Sequence, residues 1–185
     1  MVTFAVASDF HFPRADPKMV ERFLTVATAH ADYCILNGDL IEGADLGVEL
    51  PLLQQFLDKA LGTGCRVVFV RGNHDDCYGT ELKAALQVSH PTVGLCRVYQ
   101  LGPFRFVHGS HHSDQYAHQY LAESQAPVTV VGHCHRPQSY SRAGRSVHGL
   151  GCMTFTDTVP GSSQGFGYGT FYDTMTQFTH ILAWP

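Results

Sequence analysis

Three short apolar runs alternate with segments of helical period, and this pattern governs what the first half of the chain can fold into. Thr3–Ser8 is rich in β-branched and aromatic residues and reads as a buried strand, as do Tyr33–Leu36 and Arg66–Val70. Between the first two, Pro17–His30 sets Met19, Val20, Phe23, Leu24, Val26 and Ala27 at helical spacing. Leu50–Leu61 is a second amphipathic helix, with Pro51 in its first turn, where a missing N–H is tolerated. Thr80–Gln87 is a short third helix. Strand–helix–strand with links this short implies a parallel sheet with right-handed crossovers.

After about residue 95 the pattern changes. Val98–Leu101 and Arg105–Val107 flank Gly102-Pro103-Phe104 as a hairpin, and Gln138–Arg142 and Ser146–Leu150 flank Ala143-Gly144-Arg145 as another. Gly169–Asp173 and Gln177–Ala183 flank a turn at 174–176. Asp114–Glu123 can form a helix, and Val128–Val131 is a buried strand. Thr156–Gly167 has no apolar period and reads as a loop, and the glycine–aromatic mixture Gly165–Gly169 suits strand-edge packing better than a phosphate loop. Each half is too small for a core of its own. The chain is therefore expected to be one domain, 1–185, of class α/β with two packed sheets.

Charge narrows the function. Only 15% of the 185 residues are charged, the formal net charge is -4, and the 12 Lys and Arg form no run. Non-specific DNA binding needs clustered cations, so no long duplex DNA partner is expected. No stretch approaches the ~20 apolar residues of a membrane span, and Met1 leads straight into a strand-length run. The expectation is a soluble, cytoplasmic protein. The six cysteines include no Cys-x-x-Cys pair; Cys34, Cys65 and Cys152 read as small core residues. Twelve histidines equal the Lys and Arg together, and histidine is the commonest metal ligand.

Position decides what those histidines do. Predicted strands end in Ser8-Asp9-Phe10-His11, Asn37-Gly38-Asp39, Arg71-Gly72-Asn73-His74-Asp75, His108-Gly109 and Gly132-His133-Cys134-His135. Polar residues at the carboxyl ends of several strands converge on one crevice. The donors are the carboxylates of Asp9 and Asp39, the imidazoles of His11, His108, His133 and His135, and the amide oxygen of Asn73. An oxygen–nitrogen set without thiolate suits Mn, Fe or Zn. Seven donors exceed what one catalytic ion with an open position needs, and suit two ions with one ligand shared, which can clamp the attacking and leaving oxygens of an in-line displacement.

Asp-x-His, Gly-Asp, Gly-Asn-His-Asp, His-Gly and Gly-His-x-His, in that order over residues 9–135, resemble the calcineurin-like metallophosphoesterase superfamily. The resemblance implies a four-layer α-β-β-α sandwich of two mixed sheets flanked by helices. It implies Asp9, His11 and His135 at a first metal, Asn73, His108 and His133 at a second, and Asp39 bridging both. The two divalent ions would be Mn first, with Fe, Zn or Ni as alternatives. It makes His74 the catalytic histidine, protonating the leaving alkoxide, or stabilising the charge developing on it, after attack by a bridging hydroxide. Asp75 could orient that imidazole.

Each of these residues also has an ordinary reading: Asp9 and Asn73 in turns, His108 and His133 as hydrogen-bonded core histidines. Arg14, His111 and His112 are candidate phosphate contacts, with solvated loop positions as the plainer alternative, and Asn73 and His74 would also meet the substrate. Cys134 is expected to pack; His30, His90, His118, His148 and His180 are expected to be ordinary surface or partly buried residues. The favoured function is hydrolysis of a small phosphate mono- or diester, above all a nucleotide-like phosphodiester. A protein Ser/Thr phosphatase is the alternative enzyme, and a protein-binding scaffold on the same fold is the alternative from another class.

Overall fold

In the computed structural model, residues 1–109, 117–154, 162–173 and 175–183 are described. Alternation along the first strand explains the layers. β1 (Val2–Ala7) sends Phe4 and Val6 to one face and Ala5 and Ala7 to the other, as a period of two requires. Ala5 and Ala7 join a core with Met19, Phe23 and Ala27 of α1 (Pro17–His30) and Leu53, Phe56 and Leu57 of α2 (Leu46–Gly62). Leu82 and Leu86 of α3 (Gly79–Ser89) complete that layer.

Phe4 and Val6 face a second sheet. They pack with Ile35 of β2 (Tyr33–Leu36) and Val68 and Val70 of β3 (Arg66–Val70) against Leu101 of β5 (Val98–Leu101), Phe104 and Phe106 of β6 (Phe104–Val107) and Val130 of β7 (Val128–Val131). The outer face of the second sheet carries Val107 and Val131 onto Ala117, Tyr120 and Cys134 beside the short α4 (Tyr120–Glu123). The result is α/β with two mixed sheets flanked by helices.

The first sheet has the order β11-β10-β1-β2-β3-β4, where β4 is Gly94–Cys96, β10 is Gly165–Tyr172 and β11 is Met175–Leu182. β1 to β4 are parallel; β10 runs antiparallel to β1, and β11 antiparallel to β10. The second has the order β5-β6-β7-β9-β8, with β8 at Gln138–Arg142 and β9 at Arg145–Gly149. Its central strands β6, β7 and β9 are parallel, so the hairpins expected after residue 95 supply the edges.

Several expectations need correction. α2 begins at Leu46, four residues before the expected Leu50, because the Asp45 carboxylate caps Gly47 N–H and Glu49 takes the N–H groups of Gly43, Ala44 and Asp45. Pro51 therefore lies inside the helix rather than in its first turn. Of the helix expected over 114–123, residues 117–119 form a 3-10 turn and only 120–123 are α; 114–116 fall outside the described residues. β4 is a three-residue strand with no alternation to announce it. The loop expected over 156–167 ends early: β10 starts at Gly165, and 155–161 fall outside the described residues. β10 lies inside the sheet, not at its edge, and Gly169 leaves room for the Phe4 ring. None of the described helices is long and apolar enough to cross a membrane.

One contact between the sheets makes stability pH-dependent. His148 of β9 stacks on Phe178 of β11 at 4.4 Å, and Ser139 Oγ lies 2.9 Å from His148 Nδ1 and 3.1 Å from His180 Nε2. Burial, with His180 beside it, pushes His148 down to about 4; burial also lowers His180. The His148 ring folds neutral, so its contribution is full above the unfolded pKa near 6.5 and is lost progressively as pH falls from there to about 4. Allowing for partial exposure, we expect wild type to lose about 1–2 kcal/mol more than His148→Leu between pH 7 and 4.5. Urea midpoints at the two pH values check this, and parallel losses would remove the histidines from the account.

Candidate metal centre

Parallel strands of both sheets deliver the polar residues. Asp9 and His11 follow β1, Asp39 follows β2, Asn73 and His74 follow β3, His108 follows β6, and His133 and His135 follow β7. Asp9, His11, Asp39, His133 and His135 all adopt positive φ, between 47° and 60°. For residues with a side chain that region is sparsely populated and costs energy, and such residues cluster at functional sites. The strain turns each chain sharply as it leaves its strand, so that the side chain points back over the crevice.

The backbone between the strands is knit tightly. Asp9 N–H donates to Gly38 O at 2.9 Å and His11 N–H to Asp39 O at 3.0 Å. The two glycine positions are steric necessities. Gly38 sits at φ +94° with the His108 ring where a Cβ would be, and a Cβ on Gly72 would strike Asp39 Oδ1. We predict that Gly72→Ala displaces Asp39 and lowers metal affinity at least about tenfold, the lower bound for disturbing the surroundings of a ligand. Metal titration of the folded variant checks this; unchanged affinity would show that the crevice yields freely.

Two clusters form within the crevice. One ligand atom each from Asp9, His11 and His135 lie within 4.8 Å of one another, and so do those of Asp39, His108 and His133. A third grouping, His11, Asp39 and His74, joins the two. His135 Nε2 is 3.2 Å from Asp9 Oδ1 and 3.4 Å from His11 Nε2. His108 Nε2 is 3.0 Å from Asp39 Oδ2, and its Nδ1 lies 3.0 Å from Asn37 O, which accepts the Nδ1 proton and leaves Nε2 as the nitrogen that faces the crevice.

Burial and charge compete at each group. Burial alone would raise the Asp9 carboxyl, but His135, His108 and His11 hold it well below the carboxylate range. Asp39 is lowered likewise, chiefly by His108. Burial lowers His11 despite Asp9. For His108, burial is the largest influence and lowers it, but Asp39, Asp9 and the Asn37 carbonyl together push it up to about 9. Buried carboxylates packed against several imidazoles, whose protons a bound cation would displace, are what a cation site requires. His108 Nε2 is fully enclosed, yet its approach to Asp39 is not aligned as a hydrogen bond. The donor set and this misaligned nitrogen fit divalent ions.

The remaining predicted residues are placed as follows. Asn73 is exposed on the turn after β3, its carboxamide making no hydrogen bond among the described residues. His74 N–H donates to Asp39 Oδ1 at 2.9 Å; its Nδ1 meets Glu42 O at 2.6 Å, and its Nε2 is 4.0 Å from Asp39 Oδ2. Asp75, expected to orient His74, is turned elsewhere. Its oxygens accept the N–H groups of Asp39, Leu40, Ile41 and Gly72 at 2.8–3.2 Å, because adjacent side chains on the 3-10 turn diverge. Burial and the Asp39 charge push Asp75 up to about 7. Arg14 pairs with Glu42 at 3.1 Å. His111 and His112 fall outside the described residues. Cys134 is buried as expected.

Sequence reasoning missed Asn37 and Glu42. Asn37 serves through its carbonyl, which no side-chain pattern announces. Glu42 had a signal: an acid three residues past Asp39 and just before Gly43.

Two mixed sheets that gather carboxylates and imidazoles on the loops after their parallel strands define the class of metallophosphoesterase-like sandwiches. The chain belongs to the calcineurin-like phosphoesterase superfamily, whose domain it matches over residues 2–167. No curated protein sequence matches it. Among solved structures, it is similar to an archaeal phosphodiesterase, with 16% identity, a TM-score of 0.66, and 98% of this chain and 100% of that chain covered. It is similar to Yfce, a phosphoesterase from E. coli, with 19% identity, a TM-score of 0.57, and 90% and 87% covered. It is also similar to zinc-complexed Vps29 from Entamoeba histolytica, with 16% identity, a TM-score of 0.60, and 98% and 99% covered.

Proposed function

We propose that the chain is a dinuclear metal-dependent phosphoesterase acting on small phosphate mono- or diesters, nucleotide-like phosphodiesters above all. The observation that carries this reading is the pair of adjoining clusters, Asp9–His11–His135 and Asp39–His108–His133, linked through Asp39. Asp9, His11 and His135 would hold one ion, His108, His133 and the Asn73 carboxamide the other, with Asp39 between them. Mn is the favoured ion. Two bound ions would polarise the phosphate as Lewis acids and acidify water for attack on phosphorus.

The protein groups do the rest. Asn37 O keeps the His108 proton on Nδ1, so that Nε2 presents its lone pair. Glu42 O, 2.6 Å from His74 Nδ1, likewise leaves Nε2 as the edge facing the crevice. A proton on that Nε2 is the one delivered to the leaving oxygen. His74→Ala should therefore keep both ions and lose turnover by about 10²–10⁴-fold, more on alkyl than on aryl esters, whose leaving groups need no acid. Full activity on an alkyl ester would remove His74 from that role.

A second reading, a binding scaffold on the same fold, draws on the likeness to Vps29. Titrating Mn into the metal-free protein while following bis-p-nitrophenyl phosphate and p-nitrophenyl phosphate separates the two. Metal-dependent turnover supports the enzyme, and the preferred ester distinguishes diesterase from monoesterase. Failure to bind ions tightly would leave the scaffold standing.

A further inference from the structure

Glu42 touches both halves of the proposed machinery. It follows β2 in the stretch Asp39-Leu40-Ile41-Glu42, and its backbone is fixed on each side: Glu42 N–H donates to Phe12 O at 3.3 Å, and the next residue, Gly43, donates to Glu49 Oε2 at 3.0 Å. Its carbonyl holds His74. Its side chain reaches the neighbouring ring, His11, which meets His74 edge-on at 4.8 Å. Glu42 Oε2 lies 3.2 Å from His11 Nδ1, two enclosed atoms that face each other as a charge contact without the alignment of a hydrogen bond, and Oε1 lies 3.1 Å from Arg14 Nη2. The carboxylate is about one-fifth exposed, while the Arg14 guanidinium is about half exposed.

The chemistry of imidazole gives this contact a consequence. A histidine offers one ring nitrogen to a cation only when the proton sits on the other, and the partner of that other nitrogen decides which it is. A carboxylate at Nδ1 holds the proton there, aims Nε2 and raises its basicity. His11 Nε2 is the nitrogen that faces Asp9 and His135, 4.0 Å from Asp9 Oδ1 and 3.4 Å from His135 Nε2. The ring also meets the His74 ring edge-on at 4.8 Å and leaves a strained backbone at φ 47°, but neither contact selects which nitrogen carries the proton.

Resting on the metal reading above, we infer that Glu42 is a positioning residue: its carboxylate, clamped by Arg14, sets the tautomer and aim of His11 for the first ion, while its carbonyl aims His74. Arg14 then acts through Glu42 rather than on a substrate phosphate. Because one residue serves both, its side chain can be removed without touching the carbonyl that holds His74.

The test is a Mn titration by calorimetry of metal-free wild type, Glu42→Ala, Glu42→Gln and Arg14→Met, beside long-range ¹H–¹⁵N spectra of the His11 ring. Glu42→Ala should weaken one of two ions by about 10–100-fold and leave the other unchanged. Its His11 ring should show mixed tautomers where wild type shows Nδ1–H. Glu42→Gln, whose amide oxygen still accepts from Nδ1, should recover most of the loss. Arg14→Met, at a half-exposed position that the fold tolerates, should weaken the same ion by a smaller factor. Two ions bound equally well by wild type and Glu42→Ala would overturn this inference and leave the proposed function intact. A wild type that binds no ion would overturn both. A raised KM for Arg14→Met with unaltered metal affinity would return Arg14 to the substrate and overturn the clamp.

Discussion

Asp39→Asn is expected to lower the affinity for both ions together by more than about 100-fold, beyond the range seen when only the surroundings of a ligand are changed, and turnover should fall with it. The wild-type carboxylate is used at both oxygens. Oδ1 accepts the His74 N–H at 2.9 Å, and Oδ2 lies 3.0 Å from His108 Nε2. Asparagine has the same shape but one acceptor. If its oxygen keeps the His74 contact, its NH₂ faces His108 and the crevice, where a cation would meet two donor hydrogens in place of a negative charge. Because Asp39 belongs to the groupings with His108 and His133 and with His11 and His74, the loss should not be confined to one ion. Asp9→Asn, by contrast, should weaken mainly the ion held with His11 and His135. Metal content after equilibrium dialysis reads the difference. An Asp39→Asn protein that loses one ion and keeps the other at full affinity would show that the carboxylate is not shared.

The second large effect belongs to Asp75→Asn, and it is one of stability. Four backbone N–H groups converge on this fully buried carboxylate, those of Asp39 and Gly72 on Oδ2 and those of Leu40 and Ile41 on Oδ1. An amide can serve one pair and must turn its own NH₂ against the other. Two buried N–H groups left without an acceptor cost about 2–6 kcal/mol together. Removing the charge works in the opposite direction, since burial and Asp39 push Asp75 up to about 7. Asparagine relieves both of those costs, but it turns a donor against two of the four buried N–H groups, and those two stranded groups make the net effect destabilising. At roughly 2–4 °C per kcal/mol for a chain this size, the melting temperature of the metal-free protein should drop on the order of 10 °C. Metal affinity should fall too, because the backbone of Asp39 hangs from Asp75. A melting temperature within two or three degrees of wild type would mean the loop finds other acceptors.

Much of the fold was legible locally. The runs at β2, β3, β5, β7, β8 and α1 could be bounded from the sequence because burial on both faces makes a short continuous apolar run at β2, β3 and β7, and burial on one face imposes a period of 3.6 on α1. The start of α2 was not, since Asp45 and Glu49 cap it from positions that carry no apolar signal. β4 escaped because three residues at a sheet edge need not alternate. Among site residues, the histidines and aspartates at strand ends stood out by type. The part played by Asp75 did not, because whether an acid turns toward its neighbour's ring or toward four distant N–H groups is a matter of backbone direction.

What the sequence determined by itself was therefore the inventory: which donors exist, that they follow strands, and that glycines flank them. Side-chain type and period are properties of the local chain. Only the tertiary structure decided how the inventory is wired, with Asp39 shared between clusters, Asp75 holding the loop, and Glu42 turned to His11 and Arg14 while its carbonyl meets His74. Those pairings join residues from different strands, and their geometry depends on packing two sheets face to face and on left-handed turns whose cost only the assembled fold can meet.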